Sequence, residues 1–153
     1  MTALTIAENR IPAMSAEAID KVRRLEGEAM KLPQVEIATQ HVIHAGMYAR
    51  TIRIPAGVLL TGALIKIATL LIVSGHATVF MDGETVELCG YHVLPASAGR
   101  KQVFLAHADT DLTMLFPSSA QSVEAAEHEF TDEAHLLISR RDDGLDRVTI
   151  TGE

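Results

Sequence analysis

The chain has 153 residues, a size that suits one domain with a core large enough to need no covalent staples. Hydrophobic residues make up 48% and charged residues 22%, with 4% aromatics and no Trp, so a core must rest on Ile, Leu, Val and Ala. Acidity gathers late: residues 121–153 hold 3 basic and 9 acidic groups, residues 1–120 hold 10 and 11, and the net charge of −7 repels nucleic acid and anionic membranes alike.

Residues 1–34 read as an irregular lead-in followed by a helix from Ser15 to Leu32. Ser15 is its N-cap, and Ile19, Val22, Leu25 and Ala29 recur at three- and four-residue steps. Gly27 weakens the middle of this helix and Pro33 ends it. No early apolar run resembles a signal peptide. The longest, Ala68–Val73, has six residues, far short of the roughly 20 that span a bilayer, so the expected location is the cytoplasm of the host cell or a virion.

Residues 35–117 change period to two, the mark of strands. MYARTIRI (47–54) alternates, with Tyr48, Arg50, Ile52 and Ile54 on one side, and Pro55-Ala56-Gly57 breaks it. LLIVSG (70–75) is a short buried run. HATVFM (76–81) and ETVELC (84–89) flank Asp82-Gly83, a strong hairpin signal, and HVLP, QVFLAH and LTMLFP follow. Cys89 excludes an intrachain disulfide and is expected to pack as a small apolar thiol. Residues 118–153 predict two short helices capped by Ser122 and Thr131, then either a tail or an edge strand at RVTI.

This order of elements resembles the cupin superfamily of small jelly-roll barrels. GYHVLPASAGRKQ supplies Gly90, Pro95, Gly99 and Gln102 for a motif that runs from Gly through Pro and Gly to His. A first motif, laid from Gly57 to Gly75, places its metal-ligand positions near Ala63, Ile65 and Thr69. HAGMYARTIRIPAGVLLTGALIK, GHATVF and VLPASAGRKQ…AHADTDLTMLF are also similar to small cupin-like proteins of tailed bacteriophages and prophages, many of which carry His where this chain has Ile65 and Thr69; the likeness covers about half the chain. The resemblance implies an all-β fold, a single cupin-type jelly-roll barrel with an N-terminal helix and short C-terminal helices. It also implies lost ligands at Ala63, Ile65, Thr69 and Gln102, hence no metal or other cofactor and an interior filled by aliphatic side chains.

The remaining chemistry is sparse. His41 and His44, three apart in a strand, point to opposite faces. His128 and His135 belong to exposed helices, and His76 to a turn. His92 and His107 are the histidines of the central strands, with a residue near 103 set opposite His92 by pairing across the Pro95–Gly99 loop. Lys66 faces outward, Arg100-Lys101 stays in water as a loop, and Asp109 and Asp111 suit a turn. No catalytic group stands out. Two functions compete. One is a non-catalytic phage or prophage protein acting through self-association and contact with other phage structural proteins. The other is a metal-independent binder of a small, sugar-like molecule or an isomerase-type enzyme, with His92, Gln102 and His107 as its polar pocket. A metalloenzyme using His92 and His107 is a third.

Overall fold

The structure, a computed structural model, describes residues 10–137 and 146–153. Helix α1 (Ala16–Ala29) starts where Ser15 accepts a hydrogen bond from the Ala18 N–H, and its buried face, Ala18 and Val22, packs with Met14 on Val103. Among the described residues eight strands follow: β1 (Thr39–His44), β2 (Met47–Ile54), β3 (Leu59–Thr61), β4 (Thr69–Phe80), β5 (Thr85–Ala96), β6 (Val103–Ala106), β7 (Thr110–Pro117) and β8 (Asp146–Ile150). Helix α2 (Val123–Phe130), capped by Ser122, precedes β8. Among the described residues the chain is mostly β, a curled mixed sheet that forms a half-barrel.

The strand order is β3-β6-β4-β7-β2-β1-β8, with β5 on the other edge of β4. All pairs are antiparallel except β1 with β8, so RVTI adds a parallel edge strand. Four of the expected strands merge into two longer ones. LLIVSG and HATVFM fuse into β4, and ETVELC and HVLP into β5, across paired Gly75 and Gly90. At that point β4 changes partner: Leu70–Ser74 lie beside β7, and Ala77–Phe80 beside β6. The sheet divides there, and the two halves curl around the core. The fusion also removes the expected pairing across the Pro95–Gly99 loop, because β6 pairs with β3 and β4 and not with β5.

The main core lies between the halves and includes Ile54, Leu71, Val73, Val79, Leu88, Phe104 and Leu112. A second cluster packs Phe130 of α2 on Tyr48 and Phe116. The expected second C-terminal helix is, among the described residues, a single 3-10 turn at Ala134–Leu136; Thr131 accepts from the Glu133 N–H but does not cap an α-helix. The rest of that expected helix, 138–141, lies outside the described residues.

Candidate functional site

Alternation in β2 turns Tyr48, Arg50, Ile52 and Ile54 inward together, which buries a guanidinium in the half-barrel. That face and its neighbours enclose an open cavity of about 480 Å³, walled by Ile52, Leu71, Phe104, Leu112 and Met114 from the sheet and by Phe130 from α2. The expectation of a filled interior is therefore corrected: the aliphatic side chains line a hollow. The volume falls within the roughly 300–1,000 Å³ range of small-molecule pockets.

Among the described residues three cations line this hydrocarbon cavity, and two of them meet carboxylates. Arg50 Nη1 lies 3.1 Å from Glu127 Oε2, with the guanidinium 5.7 Å from the Phe130 ring centre. Lys101 Nζ donates to Glu26 Oε2 at 3.0 Å and to the Gly62 carbonyl at 2.9 Å, and lies 3.6 Å from Glu133 Oε1. Burial works to raise the Glu133 carboxyl, but hydrogen bonds from the Leu64 N–H and Arg23, together with the charges of Lys101 and Arg23, outweigh it and hold the group below its usual range.

Arg100 is different. Its Nη1 donates to the carbonyls of Ser97 at 2.8 Å and Ile67 at 3.3 Å, and its Nη2 to the Thr69 hydroxyl at 2.8 Å. Among the described residues it has no carboxylate partner, and burial alone pulls its pKa down to about 10, so it remains charged at neutral pH. Beside it Gln102 is buried, and its Nε2 has no hydrogen-bond acceptor among the described residues. The expectation that Arg100-Lys101 stays in water is thus wrong: the two are 3% and 1% exposed. The sequence signal for Arg50 was its place in an apolar alternation. Arg100 and Lys101 carry no comparable local signal, since the Lys101 partner Glu26 is 75 residues away.

The lost-ligand positions Ala63, Ile65 and Gln102 line the cavity, and Thr69 touches it through Arg100. Their donor chemistry does not fit a metal: two are hydrocarbon, one is a hydroxyl occupied by a cation, one is a neutral amide, and no histidine among the described residues lines the cavity. The positive charge here belongs to a guanidinium. The other proposed polar groups are not brought to Gln102. His92 bonds the Cys89 carbonyl at 2.9 Å, and His107 faces outward, 2.7 Å from the Thr78 hydroxyl. Cys89 is exposed, correcting the expected packed thiol, because it lies on the outward face of β5 opposite His76.

No family model and no curated protein matches the chain. Solved structures similar to it include cupin superfamily proteins. One, from Desulfitobacterium hafniense, is 14% identical with TM-score 0.47, over 60% of this chain and 87% of that one. KdgF from Halomonas sp. is 18% identical with TM-score 0.47, over 57% and 84%. A putative ethanolamine utilization protein from Salmonella typhimurium is 15% identical with TM-score 0.45, over 54% and 71%. The likeness is one of fold alone.

Proposed function

We propose that the chain binds a small acid with a largely hydrocarbon body, its anionic group held at Arg100 and Gln102, without a metal in the cavity. The observation that carries this reading is a buried guanidinium that lacks a carboxylate partner among the described residues, on the wall of an apolar hollow. Burying an uncompensated charge costs several kcal/mol, and two carbonyls and a hydroxyl offset it only in part. An anion 4 Å away regains about 4 kcal/mol at the effective dielectric of such sites. The hydrocarbon walls favour an aliphatic or aromatic body over a sugar, which narrows the sugar-like expectation.

Calorimetric titration with octanoate and with 1-octanol tests this. The acid is expected to bind about tenfold tighter or more than the alcohol. Arg100→Met, which keeps the length and removes the charge, should erase that difference. Equal affinity for acid and alcohol in the native protein, or no binding of either, overturns the reading whatever the variant does.

A second reading draws on the mouth of the cavity, where Met30, Leu32, Val35, Leu59 and Leu136 expose their side chains. An apolar rim of this kind suits self-association or contact with another protein. The bacteriophage and virion setting rests on the sequence resemblance only. Mass photometry separates the readings: a dimer that Leu32→Glu dissociates supports contact through the rim, and a monomer at all concentrations opposes it.

A further inference from the structure

We propose that His76, Glu87 and His107 form a binding site for one borderline divalent ion, such as Zn²⁺ or Ni²⁺, on the outer face of the sheet. Three adjacent strands build it. In the second half of β4 the inward residues are Ala77 and Val79, both fully buried, so His76 and Thr78 point to solvent. Glu87 of β5 is the register partner of Thr78 and shares that face. His107 extends β6 by one residue, its N–H donating to the His76 carbonyl at 2.8 Å, which lays its ring 4.7 Å from that of His76.

Both imidazoles converge on one carboxylate oxygen. His76 Nε2 lies 2.8 Å and His107 Nε2 3.8 Å from Glu87 Oε1, and all three donors fall within 4.8 Å of one another. An ion with bonds of about 2.1 Å sets adjacent donors about 3.0–3.5 Å apart, so the observed spacings bracket what a shared ion requires. Two imidazoles and a carboxylate suit zinc, nickel or copper and not magnesium or calcium, which take oxygen ligands. On binding, His107 exchanges its 2.7 Å bond to the Thr78 hydroxyl for the ion, leaving that hydroxyl beside Glu87 as an orienting donor. The strand pairing fixes the three backbones in advance, and the partial exposure of all three side chains leaves water to complete the coordination. Ala77 and Val79 separate this face from the cavity, so the site stands independently of the proposed acid ligand.

Titration of the metal-free full chain with ZnCl₂ and NiCl₂ near neutral pH, followed by calorimetry and by Co²⁺ visible absorption, tests the site. One ion per chain is expected, unaffected by excess Mg²⁺. His76→Ala, Glu87→Gln and His107→Ala should each weaken binding about tenfold or more, while His44→Ala and His92→Ala leave it unchanged. Glu87→Gln preserves shape and serves as the test should an alanine variant fold poorly. Absence of binding at about 100 µM ion, or affinity unaltered in the three site variants, overturns the proposal.

Discussion

The Arg50 guanidinium and the Glu127 carboxylate meet at 3.1 Å between β2 and α2, and each side chain is nearly inaccessible to water. Their attraction sets the docking of α2 on the sheet and so the position of Phe130 at the cavity wall. Removing one charge leaves the other buried, whereas removing both leaves hydrocarbon. Glu127→Leu should lose about 3–5 kcal/mol of stability, and Arg50→Met combined with Glu127→Leu distinctly less. Urea unfolding curves give both values. A single variant as stable as the double would show that the pair does not hold this contact.

Gly75 marks the division of the sheet, at φ 145°. A Cβ built there would lie 2.6 Å from Thr110 Oγ1 and 2.8 Å from the Asp109 carbonyl oxygen, so the turn before β7 occupies the space. Gly27, in α1, has nothing within 4 Å of its Cβ position. The same substitution should therefore act in opposite directions. Gly75→Ala should destabilise by more than about 2 kcal/mol, and Gly27→Ala should stabilise by about 0.5–1 kcal/mol. Thermal unfolding midpoints that move the same way for both would contradict these placements.

What could be read in advance follows from which signals are local. Ser15, Ser122 and Asp82-Gly83 act on neighbours within a few residues, and each starts or joins the element expected of it. Alternation in residues 47–54 was equally plain, and it grouped Arg50 with Tyr48, Ile52 and Ile54 on one face, which the fold turns inward. The fusion of strands at Gly75 was not legible, since a glycine after a short apolar run reads as a break unless its partner Gly90 is known. The cavity was hidden for a related reason. Arg100 and Lys101 look like solvent residues in any short window, and their burial becomes tolerable through groups distant in sequence, Glu26, Gly62, Ile67, Thr69 and Glu133, besides the nearby Ser97 carbonyl. The His76–Glu87–His107 cluster draws on three strands and has no sequence spacing of its own.

Cys89 offers a direct check on the outer face of β5. A thiol packed in the core reacts only on unfolding, whereas one exposed opposite His76 reacts in the native protein. Maleimide labelling under native conditions should modify one thiol per chain, at a rate that denaturant raises little. Protection of the thiol until the protein unfolds would mean that the alternation of β5 is reversed.

His41 should make stability fall with acidity well before the carboxylates titrate. Its ring is fully buried in β1, with Nδ1 2.7 Å from the Tyr48 hydroxyl. Burial pushes the Tyr48 pKa up to about 12, so the phenol keeps its proton beside the ring, whose Nε2 lies 3.6 Å from Asp146 Oδ2. Burial first, and then the charge of Arg50, lower the His41 pKa from 6.5 to about 4, while Glu127 opposes them. Between those two values the unfolded chain binds a proton that the folded chain refuses. The contribution is thus complete above the unfolded pKa and is lost as pH falls towards the folded one, amounting to about 2 kcal/mol by pH 5. Glu133, held below its usual range, adds its loss only at lower pH. Urea unfolding at pH 7 and pH 5 should show this drop in the native protein and a much flatter response in His41→Gln. Parallel responses of the two proteins over that interval would mean that the ring is protonated in the fold, with Asp146 as its counter-charge.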